Sequence, residues 1–200
     1  MSSHKEKMQA LQKEQREKVR SKNIDRGIII VNTGDCKGKS TAAFGTAIRA
    51  VGHGHKVTIV QFIKGTWKTG EQAIFKRFDE ITHIVSGEGF TWNTQDKEKD
   101  IAAARRGWEQ VVDTIEASRK DPESCFLLVL DELNIALQYD YLPTDEIVEV
   151  IANKPDHLNI IITGRGAPQA LIDAADTVTE MTQIKHAFES GIQAQKGVEF

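Results

Sequence analysis

Residues 33–41 read T-G-D-C-K-G-K-S-T and follow directly on the apolar run I-I-I-V at 28–31. A buried strand that stops at a glycine-rich turn and restarts as a helix aims several backbone N–H groups, and the positive end of the helix, at one point. That point attracts phosphate. Lys39 lies where its ammonium reaches the outer phosphates, and the hydroxyls of Ser40 and Thr41 lie where they ligate a bridging Mg²⁺. The next residues, A-A-F-G-T-A-I-R-A, continue as a helix. Against the phosphate-loop pattern G-x-x-x-x-G-K-[ST], the position five before Gly38 is Thr33, and the nearest glycine is Gly34. The loop is one residue short. It is expected to hold a triphosphate without presenting the terminal phosphate as a hydrolytic ATPase does. The competing reading is a glycine-rich turn that carries a chance Lys-Ser pair.

A second half-site stands downstream. C-F-L-L-V-L at 125–130 is a continuous apolar run of the kind found in parallel strands buried on both faces, and it ends in Asp131 and Glu132. Acids at the carboxyl end of such a strand lie near the phosphate loop and hold Mg²⁺ directly or through water.

The chain of 200 residues has 40% hydrophobic and 28% charged residues, with 26 Lys and Arg against 29 Asp and Glu. This is the composition of one ordinary globular enzyme domain. Eight of the basic residues but only four of the acidic ones fall in residues 1–26, so the remainder is net acidic. Met8, Leu11, Gln15 and Val19 leave that opening segment a thin apolar stripe. It is expected to be a charged helical or disordered flap that orders over a ligand or a neighbouring subunit, or else a solvated tail; residues 27–200 form the catalytic domain. The opening is too polar for a signal peptide or anchor, so no membrane association and a cytoplasmic location are expected. Its interleaved lysines and glutamates, with no aromatic among them, argue against nucleic acid. Cys36 and Cys125 supply no disulfide framework.

Strand and helix patterns alternate through the rest: strands at 56–63, 81–85, 158–163 and 177–181, a helix at 96–120, and another starting near Thr144 as its cap. The fold class expected is α/β, a single P-loop NTPase-like (RecA-like) domain with a mostly parallel sheet and helices on both faces. Ligands then gather at the strand carboxyl ends, which include the loops at 64–67, 86–93, 131–134 and 164–166. Arg165, between Gly164 and Gly166, is a candidate phosphate or ribose contact. The stretch G-E-G-F-T-W-N at 87–93 sets Phe90 and Trp92 in a polar, glycine-flanked loop. They either pack on the sheet or line a pocket for a large co-substrate. The six histidines form no metal-ligand spacing, and His186 is the one expected to come nearest the site.

These motifs resemble the CobA-type ATP:corrinoid adenosyltransferases. The resemblance is carried by R-G-I-I-I-V-N-T-G-D-C-K-G-K-S-T-A-A-F-G-T-A (26–47), V-Q-F-I-K-G-T-W (60–67), G-F-T-W-N-T-Q (89–95), V-L-D-E-L (129–133), Y-D-Y-L-P (139–143), I-I-I-T-G-R-G (160–166) and K-H-A-F-E-S-G-I-Q-A-Q-K-G-V-E-F (185–200). It implies transfer of the 5'-deoxyadenosyl group of ATP to the cobalt(I) of a corrinoid, with triphosphate leaving intact and ATP reversed along the shortened loop. It further implies that Gly34, Asp35, Cys36, Lys37, Gly38, Lys39, Ser40 and Thr41 take the nucleotide and that Ser40 and Glu132 hold Mg²⁺, or Mn²⁺, with Asp131 behind them. On the same resemblance Lys39 is expected to stabilise the departing triphosphate, and Phe90 and Trp92 match the aromatics that in the family displace the lower axial ligand of cobalt so that it is easier to reduce.

The same resemblance implies cobalamin, cobinamide or a related corrinoid as co-substrate, a flavodoxin-like reductase and a homodimer. The chain departs from the family at Cys36, where glycine is usual, and at Asp35, where asparagine is frequent. A cysteine disfavours positive φ and an aspartate repels phosphate, so weaker ATP binding is expected. Two other readings stay open. A P-loop ATPase or kinase would use Lys39, Ser40 and Asp131 on the outer phosphates, and a binding module would hold ATP and a corrinoid without turnover.

Overall fold

The apolar run ahead of the loop becomes β1 (Ile29–Thr33), an interior strand of a six-stranded sheet. The computed structural model describes residues 4–63, 69–87 and 97–199. The other strands are β2 (Val57–Gln61), β3 (Ile81–Val85), β4 (Leu127–Asp131), β5 (Asn159–Thr163) and β6 (Thr177–Glu180). They run in the order β3-β2-β4-β5-β1-β6, and every neighbouring pair is parallel. All six carboxyl ends therefore share one edge, where ligands of open α/β sheets bind.

Alternation along the strands divides the core in two. Leu127 and Val129 of β4, with Ile59 of β2 and Ile161 of β5, face the helices α2 (Lys39–Gly52) and α3 (Gly70–Phe75) through Ala43, Phe44, Ala47 and Phe75. Leu128 and Leu130, with Val60, Ile160 and Ile162, face the other side. That side is covered by α4 (Lys97–Lys120), α5 (Leu133–Gln138), α6 (Thr144–Ala152) and α7 (Gln169–Ala174), which contribute Trp108, Leu133, Ile147 and Leu171. Because β4 is buried at all five positions, its sequence reads as an unbroken apolar run.

Two boundaries differ from expectation. Thr144 is the first residue of α6 rather than its cap; extended Pro143 precedes it, and no side chain caps that end. Asp145 and Glu146 in the first turn complement the helix dipole instead. Helices α3, α5 and α7, of six residues each, carry too little periodicity to be read from sequence.

The opening segment is the helix α1 (His4–Arg20), with no buried residue. Met8, Leu11 and Val19 are 49%, 48% and 69% exposed, so its apolar stripe is left open among the described residues.

Just beyond α1, Arg26 and Asp176 tie the entry of β1 to that of β6. Arg26 Nη1 donates to Asp176 Oδ2 at 2.9 Å, its Nη2 pairs with Oδ1, and the Ile29 N–H donates to Oδ2 at 2.9 Å. These donors hold the Asp176 carboxyl down at about 2, the hydrogen bond from Arg26 being the largest cause. A carboxylate depressed in the folded state stabilises above its ordinary value of 3.8 and ceases to do so as pH falls toward 2. Asp176→Asn is therefore expected to cost on the order of 1 kcal/mol at pH 6, allowing for solvent screening of a partly exposed pair. The gap from wild type should narrow as pH falls below 3.8 and close only as pH passes through about 2, in urea unfolding followed by circular dichroism. A gap of constant size across that range would remove the ion pair as its cause.

Candidate active site

The loop after β1 turns on two glycines. Gly34 has φ 95° and Gly38 φ 110°, both in the left-handed region. A Cβ on Gly34 would lie 2.5 Å from the Met181 carbonyl oxygen, so a side chain there is excluded by contact as well as by backbone. Met181, just past β6, braces the loop: its N–H donates to Thr33 O at 2.8 Å, and its carbonyl accepts from the Cys36 N–H at 2.9 Å. Cys36 itself is not among the residues with positive φ. The strain expected of a non-glycine residue at this position is absent.

Lys39 is the first residue of α2 and only 7% exposed. Its ammonium folds back over the loop, donating to Gly34 O at 2.7 Å and to Cys36 O. Burial pushes its pKa below the ordinary lysine value, and the Glu132 carboxylate is the strongest influence in the opposite direction. Arg165 adds to the lowering, which brings the 164–166 turn into the same electrostatic neighbourhood.

Topology sets the second half of the site. β5 lies between β1 and β4, so the acids at the end of β4 are one strand removed from the loop. Asp131 is fully buried and accepts from Gln61 Nε2 and from Thr163 Oγ1, each at 2.8 Å. Glu132, the next residue, adopts φ 63° and ψ 21° at the start of α5. A left-handed conformation costs a residue with a Cβ about 1–2 kcal/mol, and here it turns the chain from the sheet into the cavity wall.

That cavity has a volume of about 1080 Å³. Its polar end comprises Cys36, Lys37, Lys39, Ser40, Glu132 and Arg165, together with Thr41. Its apolar end is the α2–α3 face of Phe44, Ile48, Ile74 and Phe75, with Phe44 and Phe75 edge to face at 5.2 Å. Tyr139 and the chain end at Val198 and Glu199 complete the wall. Glu199 pairs with Lys37, so a polyphosphate approaching Lys37 meets that carboxylate and repels it. The volume is at the upper end of the range usual for ligand cavities.

The oxygen donors present suit a hard divalent cation. Ser40 and Glu132 both face the cavity, and no group of three or more metal-binding side chains occurs among the described residues. Two protein oxygens completed by phosphate oxygens and water is the arrangement Mg²⁺ favours.

The structure thus brings together Lys37, Gly38, Lys39, Ser40, Thr41, Glu132 and Arg165, with Cys36 among them. Asp35 is exposed and does not line the cavity, and Gly34 contributes its carbonyl from beneath. His186 is not part of the wall either; it caps a short helical turn by accepting from the Phe188 N–H at 3.1 Å. Phe90, Trp92 and the 64–67 loop lie outside the described residues. Sequence reading missed Met181, Tyr139, Glu199 and the α2–α3 apolar face. The quoted Y-D-Y-L-P and K-H-A-F stretches were the only signal for Tyr139 and Glu199.

A family model described as "ATP:corrinoid adenosyltransferase BtuR/CobO/CobP" matches residues 25–200. A corrinoid adenosyltransferase of Pseudomonas aeruginosa is 48% identical over 198 residues, covering 98% of this chain and 95% of that protein. The corrinoid adenosyltransferase of Escherichia coli K12 is 47% identical over 176 residues, or 88% of this chain and 87% of that protein. Corrinoid adenosyltransferase CobA of Salmonella typhimurium is 46% identical over the same shares. With a phosphate loop, an acid-bearing strand end and an apolar wall around one cavity, and with this similarity along almost its whole length, the chain belongs to the ATP:corrinoid adenosyltransferase family.

Proposed function

We propose that the cavity orients ATP with its triphosphate on residues 36–41 and its 5'-carbon toward a corrinoid seated at the apolar end. The observation that carries this reading is the union of both ends in one space, lysine ammoniums at one and the Phe44–Phe75 face at the other. The cobalt(I) of the corrinoid attacks the 5'-carbon, the C5'–O bond breaks, and its electron pair leaves with triphosphate as the cobalt–carbon bond forms. No protein nucleophile is required. Lys37 and Lys39 offset the charge that develops on the leaving group, and Arg165 contacts phosphate or ribose. The remaining contribution is position, since effective concentration supplies much of the barrier reduction in such displacements.

Ser40 and Glu132 hold Mg²⁺, which supplies further charge neutralisation on the triphosphate when bound; Asp131 stands behind them. Phe90 and Trp92 exclude the lower axial ligand of the corrinoid, which eases reduction of cobalt(II) by a flavodoxin-like protein. The protein acts as a cytoplasmic homodimer. Among the described residues, no helix is long and apolar enough to cross a membrane.

Residues 1–26 form a flap that orders over the loaded site. Helix α1 buries no residue of its own and carries lysines and arginines along its length, so trypsin should remove it readily. ATP and corrinoid together are expected to slow that cleavage at least fivefold, read by gel time course, because ordering removes the accessible backbone. Equal rates with and without ligands would leave a solvated tail.

The reaction itself is tested by anaerobic incubation with ATP, Mg²⁺ and chemically reduced cobalamin. Triphosphate and a light-sensitive alkylcobalamin are the expected products. ADP or orthophosphate would identify an ATPase or kinase instead, and stoichiometric binding without product would identify a binding module.

A further inference from the structure

One chain of hydrogen bonds links four neighbouring strands, running from mid-β3 through the carboxyl ends of β2, β4 and β5. His83 Nε2 on β3 meets Gln61 Oε1 on β2 at 2.7 Å, and Gln61 Nε2 donates to Asp131 Oδ2 on β4 at 2.8 Å. Thr163 Oγ1 on β5 donates to Asp131 Oδ1 at 2.8 Å and accepts from the Glu132 N–H at 3.0 Å. Gln61 is 2% exposed, and Asp131 and Thr163 are fully buried.

The polarity of every link follows from the one group that only accepts, the Asp131 carboxylate. It orients the Gln61 amide nitrogen toward itself, which leaves Gln61 Oε1 to accept from His83 and so puts the proton on His83 Nε2. Burial lowers the His83 pKa, in keeping with a neutral ring. On the other side the single Thr163 proton is spent on Asp131, and an oxygen lone pair receives the Glu132 N–H. The buried charge is thereby tied to the backbone of the residue that enters the cavity in a left-handed conformation.

We propose that Thr163 is a positioning residue, which couples the buried Asp131 carboxylate to the Glu132 backbone and so holds the Glu132 side chain at the angle needed to share a divalent cation with Ser40. Gln61 and His83 keep the Asp131 carboxylate from rotating away. This rests on the reading of Glu132 and Ser40 as the protein's ligands to that cation, which Glu132→Gln tests separately.

Valine at position 163 keeps the shape of threonine but neither donates nor accepts, whereas serine keeps the hydroxyl. In full-length protein with ATP bound, Mn²⁺ affinity is measured by electron paramagnetic resonance for Thr163→Val, Thr163→Ser and Glu132→Gln, with thermal unfolding alongside. Loss of a group that orients a metal ligand weakens binding about 10- to 100-fold. Thr163→Val is expected to weaken Mn²⁺ binding at least tenfold while Thr163→Ser stays within about threefold of wild type.

If Thr163→Val does not fold, Thr163→Cys, of similar volume and with only a weak donor, should show an intermediate loss, and wild-type affinity in it would overturn the proposal. Wild-type Mn²⁺ affinity in folded Thr163→Val, or an equal loss in Thr163→Ser, would also overturn it, the latter by assigning the effect to the methyl group. Unchanged affinity in Glu132→Gln would instead defeat the assignment of Glu132 as a cation ligand, and the proposal with it.

Discussion

Lys39→Ala is expected to lower adenosyl transfer about a hundredfold, the effect of losing roughly 3 kcal/mol of charge stabilisation in the transition state. The lysine is 7% exposed, and its ammonium already sits over the loop, held by the carbonyls of Gly34 and Cys36. It needs no large movement to meet a polyphosphate, so its charge is present as the C5'–O bond breaks. Burial lowers its pKa, but the nearby Glu132 carboxylate opposes that shift, and a triphosphate would oppose it further.

Removing the side chain also deletes its buried stem. Lys39→Met is therefore the companion variant, because it retains the stem and volume and loses only the ammonium. Rates with chemically reduced cobalamin, ATP affinity by calorimetry and thermal midpoints separate the effects. If both variants fold and turn over at the wild-type rate, the loop has no part in the chemistry.

The double variant Phe90→Ala, Trp92→Ala should leave ATP binding within about threefold of wild type while adenosylation from cobalt(II) falls by at least a hundredfold. The expectation comes from the family resemblance of the G-F-T-W stretch and from a physical argument about axial ligation: removing a donor from cobalt raises the potential at which cobalt(II) becomes cobalt(I). Neither aromatic belongs to residues 33–41 or to the Ser40 and Glu132 pair, so nucleotide affinity has no reason to follow. Starting from chemically made cobalt(I), the variant should keep most of its activity, because the assisted step has been bypassed. The cobalt(II) spectrum of the complex should retain an axial ligand. Equal loss in the two assays, with four-coordinate cobalt still present, would make these aromatics packing residues only.

Part of the site was legible because its chemistry is written contiguously. In residues 33–41 the strand end at Thr33, two glycines, two lysines and the hydroxyls of Ser40 and Thr41 fall within nine positions, and a loop that wraps one ligand must be built from neighbours. The strands were legible for a related reason: β4 and β5, buried on both faces, admit almost nothing polar until they reach the ligand edge. What lies across the sheet was not legible. Met181 braces the loop and Glu199 pairs with Lys37 from the far end of the chain. The α2–α3 apolar face joins residues some thirty positions apart, which periodicity within one helix cannot pair. The concern that Cys36 would strain the loop also dissolved in three dimensions, since the positive φ falls on Gly34 and Gly38 instead.

The sequence by itself determined an alternating α/β domain, a shortened phosphate loop and the two acids at the end of β4, because those properties depend on local order and on the burial each residue type tolerates. Only the tertiary structure separated the roles of the acids. It inserted β5 between β1 and β4, and so brought Thr163 beside Asp131 and Glu132. Asp131 was thereby sealed among hydrogen-bond donors, and the left-handed conformation of Glu132 carried that residue into the cavity wall. Local order puts two acids in succession where the strand stops, but whether each meets solid core or cavity depends on elements that pack from elsewhere in the chain.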